Sequence, residues 1–557
     1  MASVKHMKWW GWGVEGVGFH HEDKPALRDF VLKAIDLDLD DTPTPPMNVS
    51  DLPIPAPRIS DELVGELTDA VGAENVASDD MERIVHTYGK SLRDLVRLRA
   101  GDIPRIPDVV VYPGNEAEVQ LVVDRAVAAD AVLIPFGGGS NIAGSLEAPA
   151  EEPRPVISID LGRLNKVIDI DAESGLARIQ AGTLGPDIEE QLAERGWTLG
   201  HFPDSFTHST LGGWVATRSS GMQSDKYGDI ADIARGLRVV MPGKVLVVRP
   251  VPSTSTGPSV REMILGSEGR LGVITEVTAQ VHRIPPQRLI LGYLFPSWEA
   301  SLAAMQEIST SDAHPSITRV SDGRETEFSF ATRKKSKGPS ISSLVSKGLM
   351  KLLQRRGWDL EQACLAFVGY EGGKPHVARQ KAIVKDIVGK HGGIVLGKGP
   401  GELYDQKKFD TPYIRDYLLD RGAAADVSET SAPWSKLKPL YDNTVAAANE
   451  AYAQLGVTGW MMCHLSHSYH SGACLYFTFA FKHDGLDPLG QYDRVKRAIQ
   501  QSFVDSAGTL SHHHAVGVEH AAWLEQDISA PGVHMIDGLF DAMDPGHNFN
   551  PGKIVVK

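Results

Sequence analysis

The chain has 557 residues, 42% hydrophobic and 23% charged, with a formal net charge of −15. That length is more than one core usually holds, so two or three packed units are expected. The acidic balance argues against nucleic acid as a general partner, because phosphate contacts need a basic surface. Cys364, Cys463 and Cys474 show no metal-ligand spacing and cannot build a disulfide framework, so a reducing, cytoplasmic setting is expected. The opening MASVKHMKWWGWG has no apolar core of a secretory signal. No run approaches the ~18 apolar residues of a membrane helix, and the final Ile-Val-Val-Lys is not a peroxisomal Ser-Lys-Leu address.

Residues 1 to about 60 read as irregular, with a tryptophan-rich Lys8–Gly13 and a proline-rich linker from Pro43 to Pro57. Ile59 to Leu98 has helical periodicity, with Asp61 or Ser78 as candidate caps. Pro107 to Pro113 is a short β-branched strand, and Glu116 to Ala129 is an amphipathic helix. A short buried strand then runs into Pro135-Phe136-Gly137-Gly138-Gly139-Ser140-Asn141. Val156 to Leu161 is a strand, Lys166 to Ala181 a hairpin turning at Glu173-Ser174-Gly175, and Pro186 to Arg195 a helix.

The pattern changes at Pro285-Pro286, where a domain boundary is placed. Beyond it, strands (Leu289–Leu294, Ala363–Tyr370, Cys474–Phe481) alternate with helices (Trp298–Ser309, His376–His391, Lys436–Gln454, Gln491–Ser506). Within this region Arg333 to Arg356 carries eight basic residues and no acid, interleaved with leucines. It reads either as a solvated insertion or as a peripheral contact with anionic membrane.

Three glycines in a row let the backbone approach a ligand closely, and successive N–H groups form a concave nest for phosphate oxygens. Two later stretches fit the same ligand: Pro203 to Asp229 (PDSFTHSTLGGWVATRSSGMQSDKYGD) and Leu265 to Val277 (LGSEGRLGVITEV). Together the three resemble the flavin-binding domain of the vanillyl-alcohol-oxidase/PCMH superfamily. The resemblance implies FAD held by loops. The candidate residues are Pro135 to Asn141, then Asp204, Ser205, Ser209, Thr210, Gly213, Thr217, Ser219 and Ser220, and finally Glu268, Gly269, Leu271, Gly272 and Val273. No histidine lies in the glycine loop, so FAD is expected to be non-covalent. No His, Asp or Glu cluster in the sequence demands a metal.

Further motifs narrow the resemblance. They are Met7–Gly13, Ser316–Asp322 (SITRVSD), Pro412–Asp416 (PYIRD), Glu429–Trp434 (ETSAPW), Ser471–Phe477 (SGACLYF) and Ser511–Gly517 (SHHHAVG). Over nearly the whole chain they resemble the alkyldihydroxyacetonephosphate synthase family. That family exchanges the acyl chain of acyl-dihydroxyacetone phosphate for a fatty alcohol, using FAD without net redox change. The resemblance implies Tyr476 as a catalytic phenol and Arg319 close to the flavin. It also implies Arg415 as a substrate-binding cation. A phenol ordinarily ionises near pH 10, so the reading asks His512, His513 and His514 to lower Tyr476 or relay its proton. His464 stands where the family more often has arginine, which makes one substrate-binding cation titratable.

The implied architecture is α+β: a helical N-terminal region (1–100), a PCMH-type FAD domain (101–285), an α+β cap (286–505) and a segment returning the His loop to the flavin (506–557). A homodimer is expected. Two rival readings stand beside the synthase: oxidation of a 2-hydroxy acid on the same scaffold, and a non-catalytic flavin-binding protein.

Overall fold

The computed structural model describes residues 4–334, 351, 353–355, 357–407, 409 and 411–556. Val109–Val111, Val132–Phe136 and Val156–Asp160 run parallel, and Val76–Ala77 adds an antiparallel edge. Their Val and Ile side chains are buried on both faces, as parallel strands require. Helix Glu116–Ala128 covers the sheet and is capped by the Asn115 side chain, which accepts from the Glu118 N–H.

A five-stranded antiparallel sheet follows, in the order Val167–Asp171, Leu176–Gln180, Val273–Gln280, Ala234–Met241, Lys244–Val248. Both sheets pack into one apolar core. The C-terminal segment joins them, because Leu133 N–H donates to Asn548 and Asn550 N–H donates back to Leu133.

A seven-stranded antiparallel sheet begins at Gln287, directly after Pro285-Pro286. Its order is Ile394–Gly397, Gln287–Phe295, Cys364–Gly372, Ile317–Ser321, Gly459–Ser468, Gly472–Lys482, Ala423–Pro433. Helices Trp434–Leu455 and Pro488–Asp505 cover one face. Along Gly472–Lys482 the odd-numbered Leu475, Phe477, Phe479 and Phe481 are buried in that second core. The even-numbered Tyr476, Thr478 and Ala480 turn to the other face, as the two-residue period of a strand dictates.

Several expectations are corrected. The periodic stretch 59–98 is three helices, Asp61–Val71, Asp80–Val85 and Leu92–Ala100, the first ended by Gly72 at φ 88°. The caps are Ser60 and Asp79, each one residue from its expected neighbour. The first 60 residues hold a helix, Leu27–Ile35. Strands 317–321, 423–433 and 459–468 are additions to the sequence reading. Of the basic stretch 333–356, residues 335–350, 352 and 356 lie outside the described residues.

Glu371 ties the two cores together. Its carboxylate accepts from Gln223 Nε2 (2.5 Å), Tyr227 Oη (2.7 Å) and Lys226 Nζ (3.1 Å), and Arg288 Nε lies at 3.3 Å. Glu371→Ala leaves these donors without their acceptor, two of them on partly exposed side chains. We expect it to lower stability by about 1–3 kcal/mol, read as a lower urea midpoint; an unchanged midpoint contradicts the latch.

Candidate active site

A cavity of about 320 Å³ lies between the two cores. One wall is the glycine loop. Gly139 has φ 68°, a conformation that glycine reaches without strain. A Cβ on Gly138 would overlap the His208 carbonyl, and one on Gly137 would overlap Thr210 Oγ1. Among the described residues, no N–H from Gly137 to Asn141 has an acceptor in the protein. A run of unengaged donors in a cradle that side chains would fill fits a pyrophosphate.

Of the cofactor candidates, Pro135 to Asn141, Asp204, Ser205, Ser209, Thr210, Gly213, Thr217, Ser219, Ser220, Glu268, Gly269 and Gly272 line this cavity. Leu271 and Val273 do not; both are buried in the first core, where they hold the turn from behind. Several polar side chains on the wall are engaged within the protein. Asn141 Oδ1 accepts from the N–H groups of Ala143 and Ser145. Ser209 Oγ donates to Ser205 O and accepts from Trp214 Nε1. Glu268 accepts from Ser145 Oγ, Val516 N and Gly517 N, so its carboxylate fastens the C-terminal segment to the flavin domain.

The opposite wall comes from the seven-stranded sheet. Antiparallel pairing sets Glu429 and His464 on either side of Tyr476, and directly opposed residues share a face. Tyr476 stacks on His464 (4.9 Å between ring centroids) and on His513 (6.0 Å), and meets His514 edge-on (5.4 Å).

The His loop is folded around one carboxylate. Glu429 accepts from Ser511 Oγ (2.6 Å) and from the backbone N–H groups of His512 (2.7 Å), His513 (3.0 Å) and His514 (3.0 Å). Burial alone would raise Glu429, but the three histidines and Ser511 outweigh it and hold it well below the usual carboxylate range. A depressed carboxylate contributes stability that is complete above its unfolded pKa, about 4.3, and lost as pH falls toward its folded value. Glu429→Gln is therefore expected to lower the melting temperature at pH 7. The gap to the parent protein should narrow as pH drops below about 4; a gap constant with pH contradicts the assignment.

The electrostatics correct the sequence reading of Tyr476. Burial pushes its phenol well above 10, with Asp204, Glu429 and Asp426 adding to the rise. The histidines do not supply the charge to reverse this. Burial lowers His513 to about 3 and His514 to about 4, so both are neutral at physiological pH. Tyr476 is a protonated donor, and the uncharged imidazoles are the basic groups beside it.

His464 is held against a carboxylate rather than standing free in the cavity. Burial, then the neighbouring Arg319, push it below its ordinary value, and its Nδ1 is 2.9 Å from Glu325 Oε2. Arg319 donates to Glu325 Oε1 at 2.7 Å. Burial raises Glu325, yet His464 and Arg319 outweigh it and set it at about 2. Arg319 and His464 face a smaller adjoining cavity of about 30 Å³, which shares Asp204, Ser220, Tyr476 and His513 with the large one. Arg415 reaches the large cavity, with Nη1 donating to Lys90 O (2.5 Å) and Nη2 to Asp416 Oδ1 (3.1 Å). His512 lines neither cavity.

Two features fall outside the sequence reading. An apolar arm of the cavity is walled by Phe30, Val31, Ala34 and Ile35 of the N-terminal helix with Phe328, Leu418, Trp460 and Ala480. Its signal was present as the Leu27, Phe30/Val31, Ala34/Ile35 spacing of a helix face. Glu429, Cys474, His512 and His513 also bring potential metal-ligating atoms within 4.8 Å of one another, a cluster the sequence order conceals.

The comparisons with known proteins agree with this geometry. Residues 107–248 match the FAD binding domain family, and residues 284–554 match the C-terminal domain of FAD linked oxidases. The chain is an FAD-dependent enzyme of that class. Over 577 aligned residues it is 38% identical to the alkyldihydroxyacetonephosphate synthase of Dictyostelium discoideum, covering 99% of this chain and 94% of that one. It is 35% identical to the synthase of Trypanosoma brucei brucei, covering 99% and 93%. A solved alkyldihydroxyacetonephosphate synthase superposes with a TM-score of 0.85 at 36% identity over 98% of both chains. The chain belongs to the alkyldihydroxyacetonephosphate synthase family.

Proposed function

We propose that this enzyme exchanges the acyl chain of an acyl-dihydroxyacetone phosphate for a fatty alcohol, with FAD bound non-covalently and no net redox change. The observation that carries it is the apolar arm. One continuous cavity joins the nest of unengaged N–H groups to a wall of Phe30, Val31, Ala34, Ile35, Leu418 and Trp460. A small 2-hydroxy acid has no use for such an arm; a long alkyl chain gains about 0.8 kcal/mol for each methylene it buries there.

FAD, when bound, supplies an electron sink for the substrate carbon. The chain's own groups do the rest. Gly137 to Asn141 present N–H donors, Arg415 offers a cation on the cavity wall, Tyr476 donates a hydrogen bond, and His513 and His514 are neutral bases next to it. Peripheral membrane contact through 333–356, a homodimer and a cytoplasmic location belong to the same proposal and rest on the sequence. Vesicle sedimentation, light scattering and cell fractionation test them.

Ala34→Trp should fill the arm. The expected result is a KM for palmitoyl substrate raised at least tenfold, with the KM for a butyryl substrate little changed. Equal effects on both chain lengths would sink the assignment of the arm.

A further inference from the structure

The exchange reaction releases one proton. The alcohol oxygen bonds the substrate carbon, the carboxylate leaves with its electron pair, and the hydroxyl proton needs an acceptor. The conventional base in this cavity would be an imidazole, but a neutral imidazole accepts on one nitrogen only. Which nitrogen of His513 is free is decided outside the cavity, by a chain of hydrogen bonds that runs through groups lining neither pocket.

The chain starts at Asp229, the N-cap of helix Ile230–Ile233. Burial would raise its carboxyl, but His467 and His512 outweigh this and hold it at about 2, so it is an acceptor. Tyr469 Oη donates to Asp229 Oδ2 at 2.9 Å. Its single proton is thereby engaged, so the contact of 2.6 Å between Tyr469 Oη and His512 Nε2 requires His512 to donate. In the uncharged form of the ring, donation from Nε2 leaves Nδ1 bare, and that nitrogen faces His513 Nδ1 at 2.9 Å. His513 must supply that hydrogen. The other acceptor beside His513 Nδ1, Glu429 Oε2 at 3.5 Å, favours the same tautomer. His513 Nε2 is left with its lone pair, on a residue that walls both cavities and stacks on Tyr476. Also around the pair are His467, with ring centroids 5.3 Å from His512 and 5.5 Å from His513, His514, 4.5 Å from His513, and the Cys474 thiol, within 4.8 Å of both histidines.

We propose that Asp229 and Tyr469 are positioning residues which, acting through His512, fix His513 in the Nδ1–H tautomer, so that Nε2 accepts the alcohol proton. When that proton arrives, the imidazolium has Glu429 beside its Nδ1–H; the proton then passes to solvent as His513 returns to neutral. The role in turnover rests on the acyl-exchange reading above, whereas the tautomer does not.

The test uses FAD-loaded protein labelled with ¹⁵N in its histidine rings, with the His513 signals identified by their loss in His513→Asn. The expected parent pattern is a protonated Nδ1 and an unprotonated Nε2 on His513. Tyr469→Phe removes the oxygen that accepts from His512, so His513 should become a mixture of tautomers. Asp229→Asn, which can donate where the carboxylate only accepts, should have a similar effect, with Asp229→Glu closer to the parent. For exchange of a palmitoyl chain by hexadecanol, Tyr469→Phe should lower kcat by about 10²-fold, the low end for a displaced general base. KM should stay near the parent value, and the pH profile of kcat should change shape. A parent His513 protonated on Nε2 overturns the proposal, as does a tautomer unchanged in Tyr469→Phe. If the tautomer moves as stated but the parent performs no acyl exchange, the positioning device stands and the function assigned to the site falls.

Discussion

Gly138→Ala protein is expected to purify colourless. The glycine sits where the strand Val132–Phe136 gives way to the nest, and its Cα faces the chain at His208-Ser209. An added Cβ would overlap the His208 carbonyl oxygen and stand 3.0 Å from Ser209 Cα, so backbone, not a flexible side chain, must move. Either the loop tilts into the space where the pyrophosphate belongs or the 205–210 segment, which carries the lining residues Ser205, Ser209 and Thr210, shifts away. Both break the cradle. Val at this position should be worse still. The readout is the ratio of flavin absorbance to protein absorbance, with circular dichroism to show that the fold persists. A fully yellow, folded Gly138→Ala protein would contradict the placement of FAD.

Tyr476→Phe is expected to stay yellow and lose nearly all turnover. The ring stacks on His464 and His513 and lies in a row with Glu429 across three paired strands. Phenylalanine preserves that packing, so FAD binding and melting temperature should change little. What disappears is a proton donor, held protonated by burial and by the surrounding carboxylates. Loss of a positioned acid or base typically costs 10²–10⁴-fold in rate, and a fall in kcat of about 10³ is anticipated. A variant with near-parental kcat would remove the phenol from the chemistry.

Much of this was legible before the fold. The β-branched runs at 109–111, 132–136 and 156–160 announce short buried strands, though not their parallel pairing, and the glycine loop announces its own backbone geometry. Strand 423–433 was not legible. Its residues, AAADVSETSAP, lack the β-branched alternation of a strand, and it exists because eleven residues pair with Gly472–Lys482. That pairing brings Glu429 to the His loop, which is why the triple histidine could be read as reactive but not as neutral. Charge state depends on burial and on neighbours far away in sequence. Asp229 meets Tyr469 across 240 residues, and no local pattern reports that. The helix Leu27–Ile35 was the reverse case: its spacing was visible, but its short length and proline-rich surroundings hid it.

The most direct measurement is anaerobic. FAD-loaded protein is mixed with palmitoyl-dihydroxyacetone phosphate and hexadecanol, and separately with lactate and glycolate, while the flavin spectrum and the released fatty acid are followed. The expected result is stoichiometric palmitate release and an ether product, with the flavin oxidised at the end of turnover and no response to the hydroxy acids. Stable bleaching by a hydroxy acid, with no palmitate released from the lipid, would contradict it.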